Sequence, residues 1–110
     1  MCVCCALAAA VASAESGSEV RAKDLIARYA GSYDTDALLR EPAIRAELER
    51  LLGSELAHFE ANLDVRGSVD LCGGSLVLVG NATHGGGLEE AVLCISDYKD
   101  RVSAAIFSEG

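Results

Sequence analysis

The sequence predicts an α+β domain: N-terminal helices packed on an antiparallel β-meander of about four strands. Two observations lead there. Between residues 18 and 63 apolar side chains recur at helical spacing, whereas residues 67–108 break into short alternating or β-branched runs. The connections between those runs are hairpin turns, and parallel strands would need a long crossover instead. The chain has 110 residues, enough for one domain and one core. Residues 1–14 read as a signal peptide remnant and residues 15–110 as the single folded domain.

Composition narrows the function classes. Seventeen Asp and Glu against nine Lys and Arg give a net charge of −8. Nucleic acids and anionic membrane surfaces call for basic patches, so neither fits. A basic protein partner fits, because the field would steer it inward; simple solubility explains the acidity equally well.

Residues 2–12 are Cys-Val-Cys-Cys-Ala-Leu-Ala-Ala-Ala-Val-Ala, with Ala12-Ser13-Ala14 ahead of Glu15. A short apolar run with a small-x-small end is the pattern of a secretory signal cut after Ala14. It is too short to span a bilayer, so no membrane insertion is expected. The basic n-region is missing, which fits a true start further upstream; the other reading is that this is no signal. Cleavage would leave Cys72 and Cys94. In the register that pairs Val77 with Val92, these two lie two strands apart, about 10 Å, beyond disulfide reach; a register slip would be needed to bring them together. A metal site built on Cys2, Cys4 and Cys5 lacks a second ligand pair at matching spacing.

Ser16 to Glu19 fits a capping box, and Ala22, Leu25, Ile26 and Tyr29 follow as an apolar stripe. The first helix is expected over residues 18–30, stopped by Gly31. Tyr33-Asp34-Thr35-Asp36 is turn-like and offers an N-cap for a short helix over residues 37–40, and Pro42 ends that helix and suits the first turn of the next. The longest helix is expected over residues 43–62, with Ile44, Leu48, Leu51, Leu52, Leu56, Phe59 and Leu63 on one face. Gly53-Ser54 followed by Glu55 inside the stripe predicts a kink, a break or a polar pocket. His58 sits at the stripe's edge and reads as a solvated or core-capping histidine.

Residues 67–72 alternate and run into Gly73-Gly74, a two-residue hairpin signal. Ser75–Val79 and Glu89–Ser96 are the central strands, Asp97–Asp100 is a turn, and Arg101–Ser108 is the fourth strand. With the chain stopping just beyond it, that strand is expected to be an open edge able to pair with a second copy.

Between the central strands lies Gly80-Asn81-Ala82-Thr83-His84-Gly85-Gly86-Gly87-Leu88, too long for a tight turn and of a kind that often carries function. An apolar strand, a His-centred loop, a second strand, a tight hairpin and a strand ending in aliphatic-Phe-Ser occur here in that order. Over roughly residues 42–108 this resembles the inhibitor of vertebrate lysozyme family. That family presents a loop reading Cys-Lys-Pro-His-Asp-Cys, whose histidine enters the lysozyme active site. Laid on this chain, the family histidine falls on His84, the cysteines on Asn81 and Gly86, and the proline on Thr83. The loop disulfide is therefore missing, and only the histidine matches by type. Members of the family continue beyond the point where this chain stops. The resemblance implies a partner-binding loop of Asn81, Thr83, His84, Gly85 and Gly86, c-type lysozyme as partner, a periplasmic or secreted location, and no catalytic residues or cofactor.

Other motifs fail on context. His84-Gly85-Gly86-Gly87 matches an esterase oxyanion string, but no Gly-x-Ser-x-Gly elbow accompanies it. The glycines precede a strand rather than a helix, which excludes a dinucleotide loop. Glu89 and Glu90 point to opposite faces of a strand, so at most one can join His84, too few for a metal. Three readings remain: a lysozyme-inhibitor-like protein acting through His84, an exported interaction or structural domain of the same fold without that activity, and a small-ligand module or unrecognised enzyme.

Overall fold

The structure, a computed structural model, describes residues 12–14, 20–83 and 89–108. Its helices are α1 (Ala22–Tyr29), α2 (Thr35–Arg40), α3 (Pro42–Leu52) and α4 (Leu56–Ala61), with a single 3-10 turn, Gly53–Glu55, between the last two. Its strands are β1 (Ala12–Ala14), β2 (Val65–Arg66), β3 (Asp70–Cys72), β4 (Ser75–Asn81), β5 (Glu89–Ser96) and β6 (Arg101–Ser108). The α+β class holds, and the meander β3–β6 is antiparallel throughout.

The helices form where the apolar stripes predict. Ala22, Leu25 and Tyr29 are buried on α1, Leu38 on α2, Ile44 and Leu48 on α3, and Leu56 and Phe59 on α4. The first helix is shorter than expected, beginning at Ala22; the Ser16–Glu19 capping box lies outside the described residues. The cap comes from elsewhere in the chain, since the Ala22 N–H donates to Asp100 Oδ1 at 2.9 Å. Asp34 caps α2 by accepting from the Ala37 N–H at 3.3 Å, and Pro42 opens α3. The long helix breaks at Gly53, which takes a φ of +50°. Glu55 turns out to solvent there, so the interruption is a break and not a polar pocket.

Among the described residues six strands form, where about four were expected. The sheet runs β1-β6-β5-β4-β2, with β3 also on β4. Two short strands escaped the sequence reading because neither is long enough to show alternation. β2 lies beside Gly80 and Asn81, and β1 lies beside Val102, Ser103 and Ala104. The expected open edge of β6 is thus corrected: β1 covers part of it.

The register also departs from expectation. Val79, not Val77, faces Val92, and Val77 faces Cys94. Cys72 faces Ser75, which in turn faces Ser96. Cys72 and Cys94 are therefore about 10 Å apart across the sheet and roughly 7 Å apart along it, farther than expected and well beyond bonding distance. A slip of two residues keeps every side chain on its intended face, so the core is unchanged by it. Leu76, Leu78, Ala91, Leu93, Ile95, Val102 and Ala104 meet the helices in one cluster with Ile44, Leu48, Phe59 and Leu63. Val77, Val92, Cys94 and Ala105 are buried on the other face. Among the described residues no helix is long and apolar enough to cross a membrane.

Gly80 packs against the segment that leads from α4 into β2. A Cβ there would stand 2.9 Å from the Val65 carbonyl oxygen and 3.0 Å from Leu63 Cα. Backbone atoms cannot step aside cheaply, so Gly80→Ala should cost about 1–3 kcal/mol. Gly67, with nothing within 4 Å of its missing Cβ, is the control, and Gly67→Ala should change stability by less than about 0.5 kcal/mol. Urea unfolding measures both; equal midpoints would contradict the close approach.

Candidate functional site

β4 and β5 carry the loop, and their pairing runs to its base. Asn81 faces Glu90, and the Ala82 N–H donates to the Glu89 carbonyl at 3.0 Å. Gly80 and Asn81 therefore belong to the strand rather than to the loop. Of the residues singled out in the sequence, Asn81 and Thr83 stand together at the first root of this loop. His84, Gly85 and Gly86 lie outside the described residues.

The first root is fixed by side chains from both sides. Asn81 is half-buried at the end of β4, between Val65 of β2 and Glu90 of β5. Thr83 is exposed, and its hydroxyl donates to the Asp64 carboxylate just after α4. Arg66 secures β2 in turn. Its Nε donates to Thr35 Oγ1 at 2.5 Å, its Nη1 to the Leu63 carbonyl at 2.7 Å, and its Nη2 pairs with Asp36.

The second root is Glu89, the first residue of β5. It shares its parity with Ala91, Leu93 and Ile95, so its side chain lies on the helix face. Glu89 Oε1 lies 2.7 Å from His58 Nε2 and accepts from Asn62 Nδ2 at 3.3 Å. Glu89 Oε2 accepts from the Ser108 hydroxyl at the end of β6. Asn62 is fully buried, and the same amide nitrogen donates to the Glu90 carbonyl at 3.2 Å. On the far side of the imidazole, His58 Nδ1 lies 3.3 Å from Glu55 Oε2.

These contacts move two ionisation equilibria. Hydrogen bonding to Glu89, then to Glu55, raises the His58 pKa above the ordinary histidine value. Hydrogen bonds from Ser108, then from His58, hold the Glu89 carboxyl below the usual carboxylate range. Both groups are solvent-accessible, so these shifts describe a pair that prefers its charged form and not a buried catalytic dyad. Among the described residues no trio of His, Cys, Asp or Glu is arranged to hold a metal ion.

The surface beside the roots is partly apolar. Val65, Asn81, Glu90 and Phe107 form one row across the sheet on the face away from the helices. Val65 is 53% exposed and Val79, one pleat further in, 47%.

Sequence reasoning missed Glu89 and His58 as anchors and read His58 as a bland flank residue. A signal was present: Glu55, His58 and Asn62 recur at i, i+3 and i+7, which places them along one helix face. Nothing in the sequence reveals that this face meets Glu89.

No curated protein and no solved structure matches the chain. The sequence model of the inhibitor of vertebrate lysozyme (Ivy) family matches residues 43–110, from the start of α3 through the loop to the last strand. That span is more than half of the chain and contains both loop roots, and the chain belongs to the Ivy family.

Proposed function

We propose that this protein is an exported inhibitor of c-type lysozyme that presents residues 81–86 to the enzyme's active site, with His84 as the inserting side chain. The family match over residues 43–110 carries this reading. The geometry around the loop supports it. Both roots are tied to a packed domain, the first through Thr83 and Asp64 and the second through Glu89, His58, Asn62 and Ser108. A loop held at both ends loses less conformational freedom on binding. The net charge of −8 favours approach of a basic partner.

Lysozyme is a retaining glycosidase with two carboxyl groups roughly 5 Å apart. An imidazole placed between them donates to one carboxylate and, when protonated, to both. Charge-assisted hydrogen bonds of this kind contribute about 1.5–3 kcal/mol each. His84→Ala should therefore weaken inhibition by roughly ten-fold or more. Inhibition of bacterial cell-wall lysis, titrated with both proteins, measures this. Undiminished inhibition by the alanine variant would remove the loop from the mechanism.

Asn81 and Gly86 stand where the family has the cysteines of its loop, so the loop lacks that constraint. A short disulfide loop is preorganised by roughly 2 kcal/mol in the chain-entropy model. Asn81→Cys with Gly86→Cys should strengthen inhibition under oxidising conditions and lose the gain on reduction. If neither the parent nor the stapled form inhibits, the second reading stands: an exported interaction domain of the same fold without the activity.

Export rests on the apolar run ending at Ala14. Its removal would also remove β1 and uncover Val102–Ala104 of β6. Mass spectrometry of the protein from its native host should find a mature chain beginning at Glu15. A cytoplasmic protein retaining residues 1–14 would contradict export and keep β1 in place.

A further inference from the structure

The imidazole of His58 has a carboxylate against each ring nitrogen: Glu89 Oε1 at 2.7 Å from Nε2 and Glu55 Oε2 at 3.3 Å from Nδ1. A neutral imidazole has one N–H and can donate to only one of them. In the neutral form the other nitrogen would turn a lone pair toward a carboxylate. Both contacts are satisfied together only by the imidazolium, and this follows from the geometry alone. Among the described residues His58 is the only cation within ion-pair distance of either Glu55 or Glu89.

Among the described residues, the groups bonded to this imidazole and to its carboxylate partner come from three elements. The turn before α4 supplies Glu55, β5 supplies Glu89, and Ser108 of β6 holds the far oxygen of Glu89. Asn62, the residue that follows α4, donates to Glu89 Oε1 and the Glu90 carbonyl but does not titrate. Glu90 points to the opposite face of the sheet. The His58–Glu89 pair is thus the part of the attachment between the α4 segment and the start of β5 that depends on pH, and the start of β5 is the second root of the loop.

We propose that His58 is a positioning residue for the β4–β5 loop, and that its protonation tightens the attachment of Glu89 to α4 and releases it as pH rises. Resting on the inhibitor reading above, the same step makes lysozyme binding tighter in mildly acidic surroundings. The sign follows from each group in turn. With the His58 pKa raised in the folded state, its contribution is fully present below the ordinary histidine value of about 6.5 and is lost as pH climbs through the raised value. With the Glu89 pKa lowered, its contribution is present above the ordinary glutamate value and is lost as pH falls through the depressed one. The latch is therefore closed between about pH 5 and pH 6.5 and opens above.

Hydrogen exchange of the free protein tests this without lysozyme. Peptides covering residues 80–91 are followed at pH 5.5 and pH 8, with rates corrected for the intrinsic pH dependence of exchange. The parent should show roughly two- to five-fold stronger protection at the lower pH, the scale of an exposed ion pair. His58→Gln keeps a donor for Glu89 without the charge and should abolish that difference while the protein still unfolds in one cooperative transition. Glu55→Gln, at an exposed position, removes one of the two facing carboxylates and should move the transition to lower pH. An identical pH ratio in the parent and His58→Gln would overturn the proposal. The lysozyme affinity ratio between the two pH values, parent against His58→Gln, separates the readings because everything the two measurements share cancels. A parent that shows the exchange switch but binds no lysozyme leaves the latch standing and sinks the inhibitor reading. Binding with the same pH ratio in both proteins sinks the latch as a determinant of affinity.

Discussion

The pairing of Asn81 with Glu90, closed by the Ala82 N–H on the Glu89 carbonyl, sets most of what matters in this molecule. It fixes how much chain is left for the loop between the central strands. It aligns Leu76 and Leu78 with Leu93 and Ile95 on the face that meets the helices. It also delivers the Glu89 carboxylate beneath α4, within reach of His58 and Asn62. A slip of one residue would turn the apolar set to the wrong face and carry Glu89 away from α4 with it. The loop roots and the core are consequences of one register.

The helical half of the sheet contact is shaped to match. The α3–α4 break at Gly53 directs Leu56, Phe59 and Leu63 onto the sheet and brings Asn62 into the interior as the one buried amide at the loop end. Its amide nitrogen is satisfied by the start of β5, so a polar group in the core acts as a positional constraint on the loop. The Asp100 carboxylate, in the turn before β6, receives the first N–H of α1. Helices and strands are thus joined by a few polar ties over a continuous apolar layer.

Much of this was legible in the residues. The stripe Ala22, Leu25, Ile26, Tyr29 marked α1, Pro42 marked the start of α3, and Gly53-Ser54 marked the break, because helix periodicity and its punctuation are local properties. The limits of β5 and β6 were equally plain from β-branched runs between turns. β1 and β2 were not, since strands of two or three residues are held by their neighbours and not by their own pattern. The β4–β5 register was missed by two residues because both alignments put the same side chains on the same faces, and only the tertiary ties at Thr83 and Glu89 choose between them. For the same reason His58 looked unremarkable: its role depends on Glu89, thirty-one positions away. At the loop itself, the resemblance to the family rested on a single histidine in a ladder of strands, and the match over residues 43–110 supplies the family that this one residue could only suggest.

The central claim is that the loop end of the sheet, and not the helical face, is the surface that engages lysozyme. Hydrogen exchange of this protein with and without saturating c-type lysozyme at pH 6 tests it most directly. Protection gained on binding should be confined to residues 79–91 and the adjoining β2, with α1 and α2 unchanged. Protection appearing on α1, α2 or α3 while residues 79–91 exchange as before would contradict the account.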